Sequence, residues 1–163
     1  MTAYLKRMPL GIAGVISRPQ DMTVEPVLLN SPDAFPAYGL VGKYDGDYFV
    51  PLAEGDTADK IQGIYVRPYP TASIPDKIQI IGTGNNFTGD ALKRGYMTVK
   101  LDGDASRIKK GAPVYVRVGK PTKTSPLGSF LNDAVEGESI LFPNAQFTGA
   151  GDAQGNVEIS YKI

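Results

Sequence analysis

Apolar and polar residues alternate with a period of two in several short runs, most clearly between Arg94 and Gly119. There Met97, Val99 and Leu101 alternate with Tyr96, Thr98 and Lys100. After a polar turn region, Val114, Val116 and Val118 alternate with Tyr115 and Arg117. A period of two puts each set on its own face of a pleated sheet. The stretch therefore predicts two strands joined as a hairpin, with an aliphatic inner face and an aromatic, basic outer face.

The same reading extends along the chain. Residues 23–30 predict a strand that Pro26 confines to an edge or a bulge. Asp45-Gly46 between the apolar runs 38–43 and 47–52 predicts a hairpin. Residues 53–60 predict a turn with at most one helical turn. A strand over 61–66 is stopped by Arg67-Pro68-Tyr69-Pro70. Residues 71–93 read as loop-rich, with a short strand at Ile78–Ile81. Residues 120–138 are turn-rich around an apolar island at Leu127–Leu131. Short strands at 139–142 and 145–148 flank Pro143-Asn144. The final run, 156–163, alternates Val157, Ile159, Tyr161 and Ile163 with polar residues and should be paired in a sheet. No window of about 11 residues has a helical period. The expected fold is all-β, a jelly-roll-like sandwich or barrel of about eight to ten short strands.

Residues 1–22 stand apart. Leu5, Met8, Leu10, Ile12, Val15 and Ile16 are apolar enough to need burial, but Pro9, Gly11 and Gly14 disfavour a helix. This predicts an extended N-terminal arm ahead of a single β domain over 23–163. The arm either lies across its own domain or packs on a partner chain.

Composition narrows the chemistry. The 163 residues hold 19 Gly and 13 Pro, spread without a period, which suits many short elements. There are 17 basic and 17 acidic residues, so the net charge does not call for nucleic acid or an anionic membrane. With no Cys the chain needs no disulfides, and no run approaches the roughly 18 apolar residues of a membrane helix. Without a signal-peptide pattern, a soluble intracellular product is expected. With neither His nor Cys, Ser-His-Asp and Cys-His constellations and nearly all structural zinc sites are excluded.

The remaining motifs read as turns. Gly82-x-Gly84 has Phe87 where a dinucleotide loop needs its third glycine. Asp45-Gly-Asp47 and Asp102-Gly-Asp104 lack the rest of a calcium ligand set. Ser106-x-x-Lys109 lies between strands, without the helix an acyl-enzyme serine requires. Asn86-Phe-Thr88 is a sequon without a secretion signal. No catalytic, cofactor-binding or metal-binding residue is assigned. Charge placement says more than the total: from Ala105 to Asn132 lie Arg107, Lys109, Lys110, Arg117, Lys120 and Lys123, and no acid. Such a strip is either a solvated loop system or a patch that docks on an acidic protein surface.

Scattered blocks carry a family resemblance. They are Met8-Pro-Leu-Gly-Ile-Ala-Gly14, Thr23-Val-Glu-Pro26, Tyr38-Gly39, Ile61-Gln-Gly-Ile-Tyr-Val-Arg-Pro-Tyr-Pro-Thr71, Leu92-Lys-Arg-Gly-Tyr-Met-Thr-Val99, Lys110-Gly-Ala-Pro-Val-Tyr-Val-Arg117 and Gly151-Asp-Ala-Gln-Gly-Asn-Val-Glu-Ile159. In these the chain resembles the structural cement, or head decoration, proteins of tailed bacteriophages. The resemblance implies a protein made in the host cytoplasm and attached to the outer surface of an icosahedral head. It also implies bridging of neighbouring major capsid subunits and self-association, as a dimer in preference to a trimer. Partner contacts are then expected at Lys6, Arg7, Leu10, Ile12 and Arg18 of the arm and at Arg67, Pro68 and Tyr69. On the basic strip they are expected at Arg107, Lys109, Lys110, Tyr115 and Arg117. Two other classes compete: a carbohydrate- or cell-surface-binding β module that uses some of the nine tyrosines, and a carboxylate-based hydrolase.

Overall fold

The computed structural model describes residues 11–30, 32–68 and 86–163. The strand expected at Ile78–Ile81 and the contacts expected at Lys6, Arg7, Leu10 and Tyr69 lie outside the described residues. Nine strands are described: β1 (Thr23–Asn30), β2 (Val41–Asp45), β3 (Tyr48–Pro51), β4 (Gly63–Tyr65), β5 (Asn86–Lys100), β6 (Pro113–Arg117), β7 (Phe130–Leu131), β8 (Ser139–Phe147) and β9 (Asn156–Tyr161). The only helical turn among the described residues is the 3-10 turn Ala58–Lys60. The all-β, jelly-roll-like class expected from the period-two runs is what the chain forms.

The strands make two rings that share β5. In the first, β1 pairs with β3, β3 with β2, β2 with β4, β4 with β5, and β5 again with β1. In the second the order is β5-β9-β8-β6-β7, and Leu101, just past β5, bridges Phe130 of β7 in parallel. β5 thus gives its first half to β1 and β4 and its second half to β9.

Two apolar cores follow. Val27, Leu29, Phe35, Tyr38, Phe49, Tyr65 and Ala91 form the smaller one, with the Phe35 ring stacked on Phe49 and Tyr65 at 5.3 and 4.6 Å. The larger one holds Leu92, Met97, Val99, Val114, Val116, Phe130, Phe142, Phe147, Val157, Ile159 and Tyr161. On β5, odd-numbered Ala91 serves the small core and even-numbered Leu92 the large one, yet odd-numbered Met97 and Val99 also serve the large one. The parity changes at a bulge. Thr23 faces Arg94 while Val24 faces Leu92, which leaves Lys93 as an extra residue. One added residue swaps the two faces of a strand.

Three expectations are corrected. Residues 86–93, expected within a loop-rich segment, form the first half of β5, paired with β1. The 94–119 hairpin does not form: β5 takes β9 as its neighbour, and β6 pairs with β7 and β8. The intervening loop is tied elsewhere. Ala105, fully buried, donates its N–H to Asp152 O at 3.0 Å and accepts from Gly151 N at 2.8 Å, and Leu101 N donates to Gly155 O. The loop is thereby fastened over the β8–β9 connection instead of turning back beside β5. The two strands expected around Pro143-Asn144 are one strand, β8, with a wide bulge. Gln146 faces Pro113 and Leu141 faces Tyr115, and Asn144 turns through a left-handed φ of 58°.

The described part of the arm is seated on the side of β5 away from β9. Gly14 N donates to Thr98 O (2.8 Å), Thr98 N to Val15 O (2.9 Å), Ser17 N to Tyr96 O (3.1 Å) and Arg67 N to Gly14 O (2.8 Å). The seat depends on two glycines in contact. A Cβ on Gly14 would lie 2.7 Å from Tyr38 Cβ, and one on Gly39 would lie 2.7 Å from Gly14 N; both residues have positive φ. Only glycine combines that conformation with that approach.

The shared strand makes a direct prediction. Deleting Lys93 should turn half of β5 inside out and abolish the cooperative thermal transition. Lys93→Ala keeps the residue count but loses the contacts of the Lys93 ammonium with Glu25, Gln62 O and Tyr44, and should melt cooperatively at a somewhat lower temperature. Circular dichroism melts of the two variants check this.

Candidate interaction surface

The alternation that fills the large core also fixes what faces outward. Tyr96 of β5 pairs with Ser160 of β9, and Ser160 pairs with Gln146 of β8, so these three form one row across the outer face of the second ring. Two adjoining hollows, of about 540 and 200 Å³, share Gln146, Ser160 and Ile163 in their lining. Arg18, Tyr96 and Lys110 edge the smaller hollow, and Asn144 and Lys162 the larger. Arg18 from the arm and Lys110 from the basic strip, 92 positions apart in sequence, meet at this one place.

Arg18 is committed on two sides. Its guanidinium lies 4.0 Å over the Tyr96 ring, and its Nε and Nη2 donate to the two oxygens of Glu158 at 3.2 and 2.7 Å. Ser17 Oγ and Thr148 Oγ1 also donate to that carboxylate, at 2.5 and 2.6 Å. Partial burial works to raise the Glu158 pKa, but the hydrogen bonds from Arg18, Ser17 and Thr148 outweigh it, and the net direction is downward. This network fastens the arm where it leaves the β5 seat.

The other expected contact residues fall into three groups. Ile12, 52% exposed, and the exposed Pro68, Arg107, Lys109 and Lys110 are free to meet a partner. Arg67 is engaged within the chain: its Nε donates to Ala13 O at 3.0 Å and its guanidinium lies 4.5 Å from the Tyr38 ring centroid. Arg117 is not on an outward basic face. It is buried and held by Ser125 Oγ at 2.9 Å, Lys120 O at 3.2 Å and Glu138 at 3.0 Å. The turn-rich 120–138 segment, which alternation leaves unplaced, folds over it. Tyr115, half-buried, points outward in a cross-strand row with Leu131 and with Leu141, itself 53% exposed.

Sequence reading missed Gln146, Ser160, Lys162 and Ile163. A signal was present for part of this set, since 158 and 160 must share the face of β9 opposite Val157, Ile159 and Tyr161; Lys162, with its positive φ, lies past the end of the strand. What it lacked was the neighbouring strand. Among the described residues no group of three or more acidic side chains is placed to hold a metal ion.

A protein-family model described as XM1 gp53 minor capsid protein matches residues 1–161. Among solved structures, a chain from the capsid of Myoviridae phage XM1 is similar with a TM-score of 0.64 and 17% sequence identity. That likeness covers 97% of this chain and 94% of that one. At this identity it speaks to the fold. No curated protein matches the chain.

The two kinds of cationic residue, buried and exposed, should separate in stability measurements. Arg117→Ala removes a buried charge from its hydrogen-bonding partners and should cost about 2–3 kcal/mol. Lys109→Ala, at an exposed position, should stay within about 0.5 kcal/mol. Urea unfolding of both variants checks the contrast.

The Glu158 network also predicts a pH dependence. A carboxyl whose pKa is lower folded than unfolded contributes its full stabilisation above the unfolded value, about 4.3 for Glu. That contribution is lost as pH falls through the lower folded value. The stability difference between wild type and Glu158→Gln should therefore be largest above about pH 5 and shrink on acidification below it. Unfolding midpoints measured from about pH 6 to about pH 3 check this.

Proposed function

Since the chain belongs to the XM1 gp53 minor capsid protein family and is a phage capsid-associated structural protein of the virion, we propose that it decorates the outside of the head and cements neighbouring major capsid subunits. The observation that carries this reading is the family match over residues 1–161. The family is one of capsid structural proteins, which speaks for a binding role and not a catalytic one.

The molecule is built in a way that suits this task. β5 joins two packed cores into one body, and the described arm is hydrogen-bonded to it, so contacts on either ring are mechanically coupled. Exposed Arg107, Lys109 and Lys110 offer cations to an acidic protein surface. Each copy needs only modest affinity for the shell, because many bridging contacts on one particle add through avidity. In this reading Lys6, Arg7, Leu10 and Tyr69 keep a contact role on sequence grounds alone. Ile12 and Pro68 keep theirs because they are exposed, and Arg67 and Arg117 become internal supports. Self-association as a dimer would let one unit span two capsid subunits.

Purified protein added to undecorated heads should co-sediment with them and raise the temperature at which they rupture. Absence of both effects would sink the reading.

A further inference from the structure

We propose that the paired hollow on the outer face of β5, β9 and β8 is the capsid-docking site, and that it takes an acidic side chain from a protruding segment of the shell. This rests on the decoration reading above and assigns that reading a place and a chemistry.

The electrostatics point to a carboxylate. Arg18, Lys110 and Lys162 stand around the paired hollow, and the carboxylate that Arg18 grips, Glu158, has its two oxygens taken by Arg18, Ser17 and Thr148. Arg18 is answered by that pair. Lys110 and Lys162 have no ion pair among the described residues. Lys162 Nζ rests 4.9 Å from the Tyr161 ring centroid, a contact that leaves its charge without a counter-ion. The paired hollow is therefore edged by two lysines that have no ion pair among the described residues, over a polar floor of Ser160 and Gln146. A carboxylate entering the smaller hollow would meet Lys110, and one entering the larger would meet Lys162, in neither case displacing an internal acid.

The backbone around the larger hollow supports a built feature. Asn144 and Lys162, two of the three non-glycine residues with positive φ among those described, both line it, at φ 58° and 55°. They are joined through Lys162 N donating to Asn144 O at 2.7 Å. Asparagine adopts this conformation more readily than most residues, whereas for lysine it is uncommon. Here it occurs where the wide bulge of β8 meets the end of β9, with Lys162 lining the larger hollow.

The same geometry argues against a ligand held by stacking. Single-stranded bases, and sugars that pack on a ring, need an open aromatic plane. The ring at this site, Tyr96, is already covered by Arg18 at 4.0 Å. A protein carboxylate needs no such plane.

The test compares wild type, Lys110→Glu/Lys162→Glu, and a control with the same charge change at exposed positions away from the hollow, Lys60→Glu/Lys123→Glu. All three are titrated onto undecorated heads at several salt concentrations, after circular dichroism confirms equal folding. The hollow variant should lose about tenfold or more in affinity, with a flatter salt dependence, while the control stays within about threefold. If the glutamate pair fails to fold, Lys110→Gln/Lys162→Gln replaces it and should show a smaller loss in the same direction. Equal affinity of the hollow variant and wild type, or an equal loss in the control, overturns the assignment of the hollow alone. Wild-type protein that does not bind heads overturns decoration and the docking site with it.

Discussion

One strand has to satisfy two cores at once, and the rest of the molecule is arranged around that constraint. β5 closes both rings, so its side chains must face the small aromatic core over its first half and the large core from Leu92 onward. A regular strand cannot do this, because its faces keep their parity. The extra residue at Lys93 changes the parity mid-strand, and Leu92, Met97 and Val99 then reach the same core. The bulge is a joint between two halves that would otherwise be separate small barrels, each marginal for its size.

That joint also shapes the surface. With β9 on one side of β5 and the arm on the other, the outward residues of the second ring gather into a single face. The arm brings Arg18 to it, the loop before β6 brings Lys110, and the end of β9 brings Lys162. Charges that look equivalent in sequence are separated by this packing. Arg117 and Arg67 are spent inside the molecule, on Glu138 and on the arm backbone, whereas Lys110 and Lys162 are left facing solvent. A charge held by several partners supports the fold, and an unanswered one is available to a partner.

Much of the local structure was legible in the sequence because it depends on near neighbours. The strand at 23–30, the Asp45-Gly46 hairpin, the single helical turn before Lys60 and the alternating run of β9 follow from period, turn chemistry and proline placement. The absence of His and Cys excludes whole classes of chemistry through residue types alone. The candidate surface was legible only in pieces: Arg18 and Lys110 stood out as charges, with nothing to say that they would meet.

By itself, then, the sequence determined the all-β class, most strand positions and, within stretches free of bulges, which side chains share a face. Those are consequences of a two-residue repeat and of local backbone preferences. Tertiary structure alone decided that β5 pairs with β9 and not with β6, that Pro143-Asn144 is a bulge and not a turn, that Arg117 is buried, and that one hollow draws its rim from residues 18, 110 and 162. Alternation states which way a residue faces but not which strand lies beside it. The choice of neighbour belongs to long-range packing, where Ala105 fastened over the β8–β9 connection carries the chain away from the hairpin its own pattern suggests.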